Sequence, residues 1–149
     1  MRASEIMTRP VFTVQVADPV RKAAGLIARH QVGGVPVLDS EGRLAGIVSE
    51  KDILRAIYPT YAELLDDPVG SRDFEEMESR YTDVSRLAVS EIMTANVITV
   101  RPETAILEAA SLMIRRGIRR VPVVDRDGRL VGIVSQGDIH QAVFGQHFG

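Results

Sequence analysis

The feature that most constrains the fold of this chain is an internal duplication. Residues 4–58 align with residues 90–144 without a gap, and 26 of the 55 aligned positions are identical. The pentapeptide SEIMT at 4–8, for example, returns at 90–94. A repeat at a fixed period marks a supersecondary unit that needs a neighbouring copy to cover its apolar surface. The chain is therefore expected to contain two copies of one small fold.

Each copy has the pattern of a β-α-β-β-α unit. In the first copy, a β-branched run at Val11–Val14 predicts a short strand. Apolar side chains at helical spacing between Val20 and Ala28 predict an amphipathic helix. A hairpin is predicted from Val35 to Val48, and a second helix from Ser49 to about Tyr58.

Glycines mark the turns of this pattern. Gly42 and Gly128 occupy the same place in the two predicted hairpins, where a positive φ is expected. Gly117 follows the predicted amphipathic helix of the second copy and is expected to end it.

The predicted fold class is α/β, of the α+β kind, with two β-α-β-β-α repeats packed about a pseudo-two-fold axis. A single unit of about 55 residues would be marginally stable alone, and a second copy buries its apolar face. The predicted domains are a first repeat at 1–58, an acidic and partly helical connector at 59–89, and a second repeat at 90–149. The connector is interpreted as a solvated linker helix or, alternatively, as a docking surface for a basic partner.

Composition excludes several classes of function. The chain has 18 basic and 20 acidic residues, a net charge of −2, which does not suggest a general polyanion binder. It has no cysteine, so thiol catalysis, disulfides and thiolate metal sites are excluded. No apolar run approaches a membrane span, and the N-terminus lacks the apolar core of a signal peptide. A cytoplasmic location is expected.

The pattern Ser-x-x-Asp occurs at the start of the last helix in each copy, as Ser49 with Asp52 and as Ser135 with Asp138. One interpretation is structural: the pair forms a capping box that satisfies the first N–H groups of the helix. The other is functional: the helix N-terminus and the serine hold a phosphate, and the carboxylate accepts from the hydroxyls of a ribose. The spacing alone leaves both open.

The ordered set of motifs resembles the tandem CBS-domain pair, or Bateman module. The resemblance rests on three elements that each occur twice: Ile-Met-Thr before the first strand, Val-Pro-Val-x-Asp in the next strand, and Gly-Ile-Val-Ser-x-x-Asp at the last helix. It covers about 110 residues, all but the connector and the extreme ends. It implies a regulatory module that binds AMP, ADP, ATP or S-adenosylmethionine in clefts between the repeats.

The same resemblance implies a homodimer that signals through its dimer surface or through an unidentified regulated protein, with no required cofactor. The nucleotide-binding residues it assigns are Val11, Val35, Pro36, Ser49, Asp52, Val97, Arg119, Arg120, Val121, Pro122, Ser135 and Asp138. The alternatives are an interaction module without a nucleotide ligand and a nucleic-acid-binding member of the family.

The two copies differ where the resemblance places phosphate-binding residues. Gly33 and Gly34 in the first copy stand where the second has Arg119 and Arg120. Charge-assisted hydrogen bonds from two arginines would contribute about 3–6 kcal/mol, against the roughly 8 kcal/mol of micromolar binding. The sequence therefore predicts two unequal sites, with the more phosphorylated ligand at the arginines.

No group of residues suggests catalysis or a metal centre. The three histidines, at 30, 140 and 147, have neither metal-ligand spacing nor a nucleophile partner and are expected at the surface. The arginines at 115–120 lack the aromatic side chains that stack on nucleic-acid bases, so nucleic acid is not the expected partner. The chain is not expected to be an enzyme.

Overall fold

The computed structural model describes residues 1–9, 11–58 and 74–148 and shows helices mixed with strands, which confirms the α+β class. The helices are α1 (Ala3–Ile6), α2 (Val20–His30), α3 (Glu50–Ile57), α4 (Phe74–Ser85), α5 (Ile106–Arg116) and α6 (Gln136–Phe148), with a 3-10 turn at Val89–Glu91. The strands are β1 (Val14–Gln15), β2 (Gly34–Leu38), β3 (Leu44–Ser49), β4 (Arg120–Val124) and β5 (Leu130–Ser135). Of the predicted connector, residues 59–73 lie outside the described part, and α4 follows them.

The chain divides into two compact units that do not coincide with the sequence repeats. The first-repeat unit contains Phe12–Ser40 and Ala45–Asn96. The second-repeat unit contains Met1–Val11, Glu41–Leu44 and Val97–Gly149. The second-repeat unit thus also contains the residues before the first strand of the first repeat and part of that repeat's hairpin. The first-repeat unit contains the residues before the first strand of the second repeat. The predicted domain boundaries after residues 58 and 89 describe the sequence repeats and not these compact units, so they stay predictions.

We call residues 1–8 and 87–94 the leader segments, because they lie directly before the first strand of the first and of the second repeat. Backbone hydrogen bonds attach residues 1–8 to the second repeat and residues 87–94 to the first. In the second-repeat unit, Ala3 N donates to Thr104 O over 2.8 Å. In the first-repeat unit, the equivalent Val89 N donates to Asp18 O, also over 2.8 Å. The two leaders are therefore exchanged between the repeats in the same way.

The first-repeat unit has a three-stranded sheet in the order β1-β2-β3, with β1 parallel to β2. Only Val14 and Gln15 pair with β2, so the predicted strand at Val11–Val14 begins later than expected, where ladder partners become available. The apolar stripe of α2 lies on this sheet, and Val20, Ala23 and Ile27 are buried as their spacing predicted.

The second-repeat unit repeats this arrangement with a shorter first strand. Strands β4 and β5 form an antiparallel pair, and Val100 alone makes a parallel bridge to Val123. Helix α5 covers them with buried Ile106 and Met113, and Ala3 from the exchanged leader is part of the same core. Burial of one methyl group, as in Ala3, contributes about 0.8 kcal/mol, so packing adds to the backbone bonds that hold the leader.

The turn glycines have the positive φ angles that the sequence predicts. Gly42 and Gly128 both have φ of 81°, and Gly117 ends α5 with φ of 65°. In the first copy Gln31 occupies the position of Gly117 and takes the same left-handed conformation, with φ of 53°. Within the described residues, no helix has both the length and the apolar character that crossing a membrane requires.

Candidate functional site

The Ser-x-x-Asp pair of the first copy forms a capping box at the start of α3. The Ser49 hydroxyl accepts a hydrogen bond from Asp52 N at 3.2 Å, and Ser49 N donates to Asp52 Oδ2 over 2.9 Å. The hydroxyl of Ser49 also donates to Asp52 Oδ2, over 3.0 Å. The structural interpretation of this motif is therefore confirmed here, and the cap contributes about 1 kcal/mol.

The second copy builds the same cap at the start of α6. Asp138 N donates to the Ser135 hydroxyl over 3.0 Å, and Ser135 N donates to Asp138 Oδ2 over 3.1 Å. In the described part of the chain, the Ser135 hydroxyl forms no donor bond to match that of Ser49. Its proton is therefore available to another acceptor.

Asp52 has a further partner that its sequence neighbourhood does not contain. The hydroxyl of Thr94, in the exchanged leader, donates to Asp52 Oδ1 over 3.1 Å. Asp52 is only 8% exposed and is the one buried charged residue among those described. Its carboxylate is thus enclosed by Ser49 on one side and by the leader on the other.

Asp138 occupies the equivalent position in the second motif but is more open. It is half-buried, and among the described residues only Ser135 N donates to its carboxylate. The leader residue equivalent to Thr94 is Thr8, whose backbone bridges to Ile133 as that of Thr94 bridges to Ile47. No hydrogen bond joins the Thr8 hydroxyl to Asp138, so Oδ1 of Asp138 has no partner within the described residues.

Backbone contacts place the two arginine residues of the second copy at the start of the same helix. Gln136 N, at the start of α6, donates to Arg119 O over 2.9 Å, and Arg120 pairs with Ser135 across the β4–β5 ladder. Both arginine residues are exposed, and neither side chain forms an ion pair with any described residue. The structure therefore places Arg119 and Arg120 at the same helix start as Ser135 and Asp138.

At the equivalent place in the first copy, the backbone leaves little room for a side chain at one of the two glycines. Glu50 N donates to Gly33 O over 3.0 Å. A Cβ on Gly34 would lie 3.0 Å from Val48 O and 3.2 Å from the Cα of Ser49. The start of α3 is therefore closely packed against Gly34 and carries no cation at these two positions.

The remaining predicted site residues divide into two groups. The side chains of Val35, Pro36, Val121 and Pro122 are buried, so only their backbone could face a ligand. Val11 and Val97 are half-buried and lie outside regular strands. Valine and proline side chains have no hydrogen-bonding group, so these six side chains could contact a ligand only through apolar surface.

The surroundings of the two helix starts differ in charge. The sequence of the second-repeat unit has ten arginines and seven acidic residues, a net charge of +3. The first-repeat unit has eight basic and thirteen acidic residues, a net charge of −5. An anionic ligand is therefore attracted to the unit that contains Arg119 and Arg120 and repelled by the other.

The residues outside these helix starts offer little other chemistry. Among the residues described, no group of three His, Asp or Glu side chains is arranged as a metal site. The three histidines are exposed, as predicted, and His30 stacks on Phe12 with ring centroids 3.7 Å apart.

Comparison with known proteins identifies the duplicated unit. The profile of the CBS domain matches residues 3–59 and 89–145. An uncharacterised protein of Methanocaldococcus jannaschii is 32% identical over 154 aligned positions, which cover 96% of this chain and 91% of that protein.

Two solved structures are similar over almost the whole chain. The CBS-pair protein CBSX2 of Arabidopsis thaliana, in complex with AMP, is 28% identical with a TM-score of 0.74, and the match covers 97% of both chains. The CBS domain pair of the protein MJ0100, in complex with 5′-methylthioadenosine and S-adenosyl-L-methionine, is 27% identical with a TM-score of 0.71 and 98% coverage of both chains. This chain therefore belongs to the CBS domain family and contains a tandem pair of these domains.

Proposed function

We propose that this chain is a regulatory module that binds an adenosyl ligand, with its main site at the start of α6. Support comes from the two similar structures, since one holds AMP and the other holds 5′-methylthioadenosine and S-adenosyl-L-methionine. All three of these ligands contain an adenine and a ribose. A carboxylate that accepts from the ribose hydroxyls would therefore serve all three ligands.

The observation that carries the proposal is the grouping at one helix start. Among the described residues, Oδ1 of Asp138 has no hydrogen-bond partner and the Ser135 hydroxyl donates no hydrogen bond. The backbones of Arg119 and Arg120 lie at the same helix start, and neither arginine forms an ion pair with a described residue. In the proposed complex, Asp138 accepts from the ribose, while Ser135, Arg119 and Arg120 donate to phosphate. The positive end of the α6 macrodipole adds to the attraction for the phosphate.

The two arginines set the preferred ligand of this site. A charge-assisted hydrogen bond contributes about 1.5–3 kcal/mol, and every 1.4 kcal/mol changes affinity about tenfold. AMP, ADP and ATP are therefore preferred over S-adenosylmethionine at the start of α6. Nucleotides with more phosphates offer more acceptors to Arg119 and Arg120 and bind more tightly.

We propose that the response to the ligand is conformational and not chemical. Ligand binding shifts an equilibrium between two arrangements of the module by the difference in its affinity for them. The output surface is that of a homodimer or of a regulated partner protein in the cytoplasm. The proposed module is not an enzyme.

Thermal melts of the full chain with AMP, ATP and S-adenosylmethionine test the proposal. A ligand at 100 times its dissociation constant stabilises the folded state by about 2.7 kcal/mol, which raises the melting temperature by several degrees. We expect Arg120→Ala to reduce the shift with ATP, while Arg126→Ala, at an exposed turn position, leaves it unchanged. If none of the three ligands moves the melting temperature of the wild-type chain, the proposal is wrong.

A second candidate is an interaction module without a nucleotide. It is favoured by the finding that Ser49 with Asp52 and Ser135 with Asp138 both serve as helix caps. A cap explains the presence of these residues without any ligand. The same melts distinguish the two candidates, because an interaction module gives no shift.

A further inference from the structure

We infer that Thr94 closes the nucleotide site of the first repeat, so that each chain binds one adenosyl ligand, at Asp138. This inference rests on the proposed function, in which the aspartate of the Ser-x-x-Asp motif accepts from the ribose. It assigns to Thr94 a role in specificity: the residue decides which of two otherwise similar sites is open.

The capacity of each carboxylate to accept hydrogen bonds decides between the sites. An ionised carboxylate offers about four acceptor positions, two on each oxygen. Asp52 already accepts three bonds, from Ser49 N, from the Ser49 hydroxyl and from the Thr94 hydroxyl. One position remains, which is too few for the two adjacent hydroxyls of a ribose.

Asp138 retains the capacity that Asp52 lacks. Among the described residues it accepts only the bond from Ser135 N, which leaves about three acceptor positions. Both hydroxyls of a ribose can donate to it without displacing a protein group. Asp138 is also half-buried, whereas Asp52 is 8% exposed, so a ligand reaches Asp138 with less rearrangement.

Hydrogen bonds on both sides fix the backbone that carries the Thr94 side chain. Thr94 N donates to Ile47 O over 2.8 Å, and Ile47 N donates back to Thr94 O over 2.9 Å. Gly46 lets this segment approach, since a Cβ there would lie 2.5 Å from Thr94 O. The Thr94 side chain is therefore attached to a backbone that is fixed beside Asp52.

Thr8 shows that the backbone arrangement alone does not close a site. Thr8 N donates to Ile133 O over 2.8 Å and Ile133 N donates to Thr8 O over 3.1 Å, as in the first-repeat unit. Yet in the described part of the chain its hydroxyl makes no bond to Asp138. The two units share one scaffold and differ in whether the leader hydroxyl occupies the carboxylate.

Calorimetric titration of the full chain with AMP tests this inference, because it counts sites. We expect one AMP per wild-type chain. Asp138→Asn should weaken this binding at least tenfold, and Asp52→Asn should leave it unchanged. Thr94→Val, which removes the hydroxyl and keeps the shape, should add a second binding event that requires Asp52. Thr94→Ser and Thr8→Val are the matched controls and should stay at one AMP per chain.

The outcomes separate this inference from the function on which it rests. Two AMP per wild-type chain, or weaker binding in Asp52→Asn, would overturn the inference and leave the proposed function intact. A folded Thr94→Val chain that still binds one AMP would show that Thr94 does not close the site. No binding of AMP by any variant would overturn this inference, and the proposed function would fall with it if ATP and S-adenosylmethionine also failed to bind.

Discussion

Thr94 and Asp52 are 42 residues apart in the sequence, and the hydroxyl of one donates to the carboxylate of the other over 3.1 Å. This bond connects the exchanged leader to the helix cap of the first repeat. The leader exchange thus brings a hydroxyl donor to the carboxylate of Asp52. The family resemblance assigns this carboxylate to ligand binding.

We expect the Thr94–Asp52 bond to stabilise the unliganded protein. Thr94→Val should lower the free energy of unfolding by about 1.5–3 kcal/mol, because a buried carboxylate loses a donor. Thr8→Val, the matched change in the second-repeat unit, should alter it by less than about 0.5 kcal/mol. Urea denaturation monitored by circular dichroism measures both. Equal effects of the two substitutions would contradict the asymmetry between the units.

The glycines beneath the two leaders should differ in their tolerance of alanine. A Cβ on Gly46 would meet the backbone oxygen of Thr94 at 2.5 Å, whereas on Gly132 it would meet the sulfur of Met7 at 2.5 Å. A methionine side chain can move and a paired backbone cannot. Gly46→Ala should therefore cost about 1–3 kcal/mol and Gly132→Ala less.

Gly145 provides the control for this comparison. It lies within α6, and a Cβ there meets nothing within 4 Å, so Gly145→Ala should raise stability by about 0.5–1 kcal/mol. Denaturation midpoints of the three alanine variants give the order. A greater loss in Gly132→Ala than in Gly46→Ala would show that the contact with Met7 is the tighter one.

Asp18 should make the stability of the first-repeat unit depend on pH. The backbone N–H of Gln15 donates to its carboxylate over 2.7 Å, and Lys22 lies 3.2 Å away, so the pKa of Asp18 is lowered below its ordinary value of 3.8 despite the opposing effect of burial. A carboxyl with a lowered folded pKa stabilises the fold above its unfolded pKa. That contribution is lost as the pH falls through the folded pKa.

The second copy suggests the substitution that tests this effect. Thr104 stands at the equivalent position and caps the same turn, accepting from Arg101 N over 3.0 Å. Asp18→Thr should keep the turn and remove the charge. The stability advantage of the wild type should then be constant above about pH 5 and should shrink as the pH falls from there through the folded pKa. An advantage that does not change with pH would contradict the assignment.

The residues that end α2 and α5, Gln31 and Gly117, have the same left-handed backbone conformation and can each be substituted to test its cost. Gln31 ends α2 with φ of 53°, a conformation that costs a residue with a Cβ about 1–2 kcal/mol, while Gly117 ends α5 at φ of 65° without that cost. Gln31→Gly should raise the melting temperature, and Gly117→Ala should lower it. Destabilisation by Gln31→Gly would mean that the side chain of Gln31 contributes more than its backbone conformation costs.

Much of the fold could be predicted from the sequence because local rules determine it. The buried stripe of α2, the positive φ of Gly42 and Gly128, and the caps at Ser49 and Ser135 all follow from residue type and spacing. Each involves residues close together in the chain. The first strand is shorter and begins later than predicted, because only Val14 and Gln15 have ladder partners in β2.

The leader exchange could not be predicted from the repeat. The same four residues, Ser-Glu-Ile-Met, precede Thr8 and Thr94, and their partners Ile133 and Ile47 lie in the same Gly-Ile-Val-Ser sequence. The sequence therefore does not indicate which repeat each leader joins. The bond from Thr94 to Asp52 was missed for the same reason. The recurrence of Ile-Met-Thr was the available signal, but it is the same in both copies.

The most direct test of the account is a crystal structure of the full chain grown with AMP. We expect one nucleotide per chain, with its ribose hydroxyls on the Asp138 carboxylate and its phosphate near Arg119 and Arg120. The bond between Thr94 and Asp52 should remain as it is. A ribose bound to Asp52, or a nucleotide that contacts neither aspartate, would contradict the account.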